Sequence, residues 1–207
     1  MSHIFNAELR DTITTRLAQF QPRVPNDAEL KHAAVAITIV PHEETAGFLL
    51  TRRAPRLNAH AGQWALPGGR IDKGESVAEA AMRELHEEVN LVAQASNVLG
   101  LLDPYPTRSG YLITPVILWI ENLEGMTPNP GEVASIHPFP LSELERDGSP
   151  LFLTIPESER PVIRLLLGED GHVHAPTAAL LYQFAEVGLR GRMTRVDEME
   201  QPVWAWK

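Results

Sequence analysis

Apolar residues recur along this chain in two rhythms, one near 3.6 residues and one near 2, and the changes of rhythm mark its elements. Residues 3–20 carry Ile4, Leu9, Ile13, Leu17 and Phe20 at helical spacing, and the stretch from Pro22 to Asp27 ends that helix in a loop. Residues 33–40 and 48–52 are β-rich runs split by Pro41 to Gly47, which predicts two strands joined by a loop. The segment 54–69 is rich in Pro, Gly and Asn, and a loop of that length inside a compact domain is usually functional. Ser76, with Glu79 three residues on, predicts a capped helix start, and Asn90, which tolerates a left-handed conformation, predicts its end. Residues 98–102 and 111–120 read as strands, with Pro115 marking an edge or a bulge. Residues 132–137 follow as a short strand, 141–145 as a helical turn, and 156–167 and 177–189 as helices. The Trp-rich end, 201–206, reads as a closing strand or an oligomer contact, which would make a homodimer.

Strands and helices mix without regular βαβ alternation, so the class is α/β or α+β, and 207 residues fit one such domain with terminal embellishments. The longest apolar run, 33–40, is far short of the roughly 20 residues of a membrane span. The first residues lack the apolar core of a secretory signal, which leaves a cytoplasmic location as the expectation. With no cysteine there is no thiol nucleophile and no zinc-thiolate site. A net charge of −9 weighs against nucleic-acid polymers as partners, while a small anionic substrate bridged by a metal remains compatible.

The helix predicted after Ser76 changes this bland picture. Glu84, Glu87 and Glu88 fall on one side of it, and like charges three and four residues apart cost roughly 0.2–0.5 kcal/mol per pair. No lysine lies one turn away to offset them, and a hard divalent cation taking oxygen ligands is the natural relief. Rival chemistries find no support: HExxH, GxSxG and a Walker loop are all missing, and His86 is expected to face solvent.

Gly69, Glu75, Arg83, Glu84, Leu85, Glu87, Glu88 and Leu91 stand at fixed intervals, and this pattern resembles the Nudix signature, with Asn90 in place of its second glycine. The resemblance implies an α/β/α sandwich with a mixed sheet, an N-terminal helical arm (1–30), the hydrolase domain (31–190) and a C-terminal tail (191–207). It implies hydrolysis of a nucleoside diphosphate linked to another group, with Mg²⁺ or Mn²⁺ held by Glu84, Glu87, Glu88 and the Gly69 carbonyl. Arg83 and Glu75 would form a charge pair that orients the helix against the loop. Glu88 and Glu132 are the candidates for general base.

Upstream, LLTRRAPRLNAHAGQWALPGG (49–69) is similar to the loop of coenzyme A diphosphatases. Leu49, Leu50, Thr51, Arg53, Gly62, Pro67, Gly68 and Gly69 match in register, while Ala54, Asn58 and Leu66 stand where Ser, Arg and Phe are usual. Arg53, Gly68 and Gly69 are the expected substrate-binding residues; Arg52, Arg53 or Arg56 could compensate for the arginine missing at Asn58, with Arg52 and Arg56 expected to be ordinary surface charges. The segments 107–116 and 173–178 resemble the same subfamily. The implied substrate is coenzyme A or an acyl-coenzyme A, with ADP-ribose, dinucleotides or nucleotide sugars as the alternative. A nucleotide-binding module without turnover is the alternative from another class. Trp64 either stacks on a substrate ring or packs its loop, and packing is expected for Trp204 and Trp206.

Overall fold

The computed structural model describes residues 3–23, 25, 29–55, 62–169 and 171–206. In chain order these form helix α1 (Ala7–Gln19), strands β1 (Lys31–His42), β2 (Thr45–Arg53), β3 (Trp64–Ala65) and β4 (Gly68–Arg70), and helix α2 (Val77–Val89). Strands β5 (Val98–Leu101), β6 (Tyr105–Pro106), β7 (Tyr111–Trp119), β8 (Val133–Pro140), β9 (Leu151–Ile155), β10 (Ser158–Leu167) and β11 (Gly171–His174) follow. Helix α3 (Thr177–Phe184) comes last and runs on through a π-helical turn, Ala185–Leu189.

The strands build a mixed eight-stranded sheet with the path β3-β2-β1-β7-β5, to which β4, β6 and β8 attach. Its central pair, β1 and β7, is parallel and the remaining pairs are antiparallel. Because helices cover both faces, β1 is buried over most of its length instead of on alternate residues. On one face Ala34, Ala36, Leu49 and Val116 pack under Ala80, Ala81, Leu85 and Val89 of α2. On the other, Ile37, Phe48, Leu50 and Trp119 share a core with Ile13, Leu17 and Phe20 near α1 and with Leu181 and Phe184 of α3. The first helix is therefore seated on the core. Arg16 fastens it there by donating to the Gly188 carbonyl at 3.0 Å, one of the free acceptors at the end of the helix that follows α3.

Three expectations change. The helix expected over 156–167 is strand β10, the centre of a second, three-stranded antiparallel sheet, β11-β10-β9. Ile163, Leu165 and Leu167 are buried while Arg164 and Leu166 are not, the period-2 pattern of a half-buried strand. Pro115 lies in the central strand β7, at the break where its partner changes from β6 to β5, so its missing N–H leaves no ladder bond unmade. The C-terminal end forms a short 3-10 helix, Val203–Ala205, preceded by a single parallel bridge from Glu200 to Val162. Among the described residues no helix is long and apolar enough to cross a membrane.

Candidate active site

Helix α2 is fixed at both ends. Ser76 Oγ accepts from Glu79 N at 3.2 Å and the Glu79 carboxylate accepts from Ser76 N at 2.8 Å, which closes the expected capping box. Asn90 takes the left-handed conformation (φ 57°), donates its N–H to His86 O at 2.9 Å, and sends Nδ2 to Gly125 O at 2.8 Å. The residue standing where the signature has glycine thus does the backbone work of glycine and adds a tie to the next loop. That loop is stitched on further by Thr127 N to Val89 O (3.1 Å) and Asn129 N to Glu88 O (2.9 Å). The last carbonyls of α2 are satisfied in this way, and Glu132 is brought to the same end of the sheet.

The three glutamates do not share one patch as expected. At about 100° per residue, Glu87 and Glu88 straddle Glu84, so one turns outward and the other into the protein. The Glu84 side chain is 12% exposed and that of Glu87 49%, whereas Glu88 is 5% exposed. Their repulsion also has an internal offset. Arg83 Nη1 bonds Glu84 Oε1 at 2.8 Å and Glu87 Oε2 at 3.0 Å, its Nε bonds Glu75 at 2.9 Å, and its Nη2 reaches Arg70 O at 2.9 Å. The guanidinium therefore ties the helix to the turn before it and offsets part of the charge of Glu84 and Glu87. Glu75 is held below the usual carboxylate range by that contact and by the Asp72 N–H, and the charged state of Arg83 is reinforced. His86 is exposed.

Glu88 has no such partner. Burial pushes its carboxyl up to about 8, against the pull of Arg53 and a hydrogen bond from the Gly68 N–H, and Glu84 and Glu132 add like charge. Burial raises Glu84 as well, against the pull of Arg83. The backbone beside them is bare for a reason: a Cβ on Gly69 would stand 2.2 Å from Glu84 Oε1, and one on Gly68 2.4 Å from Ala34 O. Among the described residues no three acidic or histidine side chains form a ready cage, since Arg83 engages Glu84 and Glu87. The donor chemistry nonetheless fits a hard divalent cation: carboxylate and carbonyl oxygens only, with one acid buried among like charges.

Arg53, at the end of β2, meets both halves of the site. Its N–H donates to Gln63 O at 3.0 Å, and Ala54 N donates to Glu132 O at 2.8 Å, which draws the 54–69 loop and the Glu132 loop together. Arg53 Nε is buried without a hydrogen-bond partner. Arg56 and Asn58 lie outside the described residues. Trp64 packs with Arg52 3.8 Å over its ring and with His137 and Phe139 in T-shaped contact, and it lines the same cavity as Arg53.

Arg53 and Gly68 also line a cavity of about 880 Å³ on the sheet face opposite α2. Its walls include Thr107, Ser109 and Tyr111 on one side and Val173, His174 and Thr177 on another. The two short resemblances at 107–116 and 173–178 thus fall on one chamber. Leu180, Gln201 and Trp204 complete it, and no pattern in the sequence had marked them for this. Trp204 stands half-exposed at the wall with its edge toward His174, while Trp206 packs inward, donating Nε1 to Gln201 O at 2.9 Å.

Burial, helped by His172 and Arg164, pushes the His174 imidazole down to about 4. Between pH 6.5 and about 4 the unfolded chain binds a proton here that the folded chain refuses. Stability is therefore expected to fall as pH falls through that window and to be full above it. Discounted for solvent around a half-buried group, the loss is about 1 kcal/mol. His174→Gln should flatten that part of the curve, which urea midpoints at pH 4.5 and 7 would measure.

A mixed sheet covered by the signature helix on one face and by α1 and α3 on the other is the architecture of one class of protein, which comparison with known proteins identifies. The NUDIX domain model matches residues 30–166, and the chain belongs to that family of hydrolases. It is 40% identical over 136 residues to a protein described as uncharacterized Nudix hydrolase NudL from Pectobacterium atrosepticum, covering 65% of this chain and 70% of that one. A counterpart from Photorhabdus laumondii is 44% identical over 114 residues, 55% of this chain and 60% of that protein. Among solved structures, a MutT/nudix family protein from Enterococcus faecalis shares the fold (TM-score 0.50, 23% identity, 80% of this chain and 68% of that one). Members of the family generally use divalent metal ions.

Proposed function

We propose that the protein hydrolyses the diphosphate bond of a nucleoside diphosphate derivative, with Mg²⁺ or Mn²⁺ as its cation. Coenzyme A or an acyl-coenzyme A is the first-choice substrate, giving 3′,5′-ADP and 4′-phosphopantetheine or its acyl form. The observation that carries this reading is the meeting of Glu88, Gly68 and Arg53 at the sheet end: Gly68 N–H bonds the buried Glu88 carboxylate, Arg53 pulls on the same acid, and Gly68 and Arg53 also line the cavity on the other face of the sheet.

Glu84, Glu87, Glu88 and the Gly69 carbonyl are the residues that would hold the cation. When bound, it would offset charge on the phosphate oxygens and lower the pKa of water. Arg83 fixes the angle of α2 against Arg70 and Glu75, and so the placement of all three acids. Arg53 offers a buried donor to a phosphate oxygen, and Gly68 and Gly69 let the substrate approach the backbone closely. Glu88, buried, and Glu132, exposed at the loop edge, are the two carboxylates placed to take a proton from the attacking water.

Product chromatography over coenzyme A, acetyl-coenzyme A, ADP-ribose and a dinucleoside polyphosphate, each with Mg²⁺ and with Mn²⁺, tests the reading. Coenzyme A thioesters are expected to be cleaved at least about tenfold faster than ADP-ribose, the discrimination that about 1.4 kcal/mol of differential binding confers. Equal turnover of ADP-ribose and coenzyme A would remove the substrate claim. Binding without product from any of them would leave a nucleotide-binding module instead.

A further inference from the structure

The cavity wall combines three kinds of residue. At the sheet end stand Arg52 and Arg53, suited to an anion. Ser109, Tyr111 and Thr177 add hydroxyl groups without charge, while Thr107 and Gln201 are buried and engaged in hydrogen bonds of their own. Val173, Ala175, Leu180 and Ala205 are buried wall residues with apolar side chains. Among the described residues no Asp or Glu lines the cavity, although the chain carries 27 of them. His174, pushed down to about 4, is uncharged at neutral pH and adds no charge to the wall.

The wall from 171 to 205 lies beyond the residues that match the NUDIX domain model, 30–166. It is firmly placed. Glu200, 3% exposed, holds Arg108 at 2.5 Å and Ser158 at 2.9 Å, and Gln201 Oε1 accepts from Arg108 N at 2.7 Å. Trp64 offers no free face for stacking a base or ring on the Arg52 side, because that guanidinium covers it. At about 880 Å³ the cavity lies in the upper part of the range of roughly 300–1,000 Å³ common for small-molecule sites. That is ample for a long flexible group.

We infer that this cavity seats the organic arm attached to the diphosphate, and that Thr177, Ile113, Pro176 and Trp204 select an extended, uncharged arm with an apolar end. The inference rests on the diphosphate reading above and adds which part of the substrate is discriminated, and by which residues. In acyl-coenzyme A terms, the fatty tail of the thioester lies against Ile113 and Pro176, and compact hydrophilic groups such as a terminal ribose fit poorly. Thr177, in the first turn of α3, and the half-exposed Trp204 both stand on the cavity wall.

Steady-state kinetics with acetyl-, butyryl-, hexanoyl- and octanoyl-coenzyme A provide the first test. KM is expected to fall with each added methylene, by at most about fourfold per fully buried CH₂, while kcat stays within about twofold across the series. Thr177→Phe, which takes up cavity space, should lower the octanoyl-to-acetyl ratio of kcat/KM about tenfold, and Trp204→Ala should lower it several-fold. Far-UV circular dichroism and melting confirm folding of both. A KM independent of chain length in the wild type, or an unchanged ratio in both variants, would overturn the inference. A second measurement separates it from the hydrolysis claim: titration calorimetry with S-octanoyl-pantetheine, which carries no phosphate. Binding by the wild type that Thr177→Phe weakens about tenfold upholds the cavity assignment even if no diphosphate is cleaved. Absence of binding sinks it even if diphosphates are cleaved.

Discussion

Replacing Glu88 with glutamine is expected to reduce diphosphate hydrolysis by on the order of 10²–10³-fold, the scale on which loss of one preorganised charge-stabilising group is felt. The loss should come without unfolding. Glu88 is 5% exposed and surrounded by Glu84 and Glu132, so the ionised carboxylate is costly to bury there unless a cation joins it. Glutamine has the same shape and no charge, and its amide oxygen still accepts from the Gly68 N–H. The metal-free variant is therefore expected to melt no lower than the metal-free wild type. The two should part when Mg²⁺ or Mn²⁺ is added: the rise in Tm that a native-state ligand confers in the wild type should shrink or vanish in Glu88→Gln. Wild-type turnover at saturating Mg²⁺ in this variant would refute the metal assignment.

Gly68→Ala is expected to lower stability strongly, by about 1–3 kcal/mol or more, because the new methyl meets backbone. Its Cβ would stand 2.4 Å from Ala34 O and 2.7 Å from Val35 Cα, in the middle of the β4–β1 pairing, where neither neighbour can rotate away. Gly69→Ala makes the contrast. There the nearest atoms, at 2.2 and 2.5 Å, belong to the Glu84 carboxyl, which can swing aside. Stability should drop less, while activity should fall by at least as much as in Gly68→Ala, since the displaced group is one of the proposed ligands. Chemical denaturation and kcat/KM on the same preparations check both halves. Equal destabilisation with unchanged kcat/KM in Gly69→Ala would show that the Glu84 position does not matter to the reaction.

Helix α2 was legible in the sequence because independent signals agreed on it: Ser76 with Glu79, the apolar stripe of Ala81, Leu85 and Val89, and Asn90 at the end. The same stretch carried the signature that points to hydrolysis. What escaped was finer. The glutamates read as one patch, although their angular offsets already separate Glu87 from Glu88, and Arg83 was seen as a partner of Glu75 alone when it also binds Glu84 and Glu87. Residues 162–167 form an apolar run short enough for either a helix or a strand, and only pairing with β9 and β11 decides for the strand. The cavity was the least legible part. Its walls come from segments far apart in the chain, and two brief resemblances, at 107–116 and 173–178, were all that hinted at it.

The sheet has a consequence for how such a protein can change. The acidic helix lies on one of its faces and the cavity opens on the other, and the two touch only around the strand ends at Arg53 and Gly68. Residues that far apart, with few shared neighbours, contribute nearly independently to free energy. Drift in the segment from 171 to 205 can therefore reshape the cavity while the proposed metal ligands on α2 stay as they are. In a lineage, new diets can arise from the tail of the chain, with no intermediate that must lose its chemistry on the way.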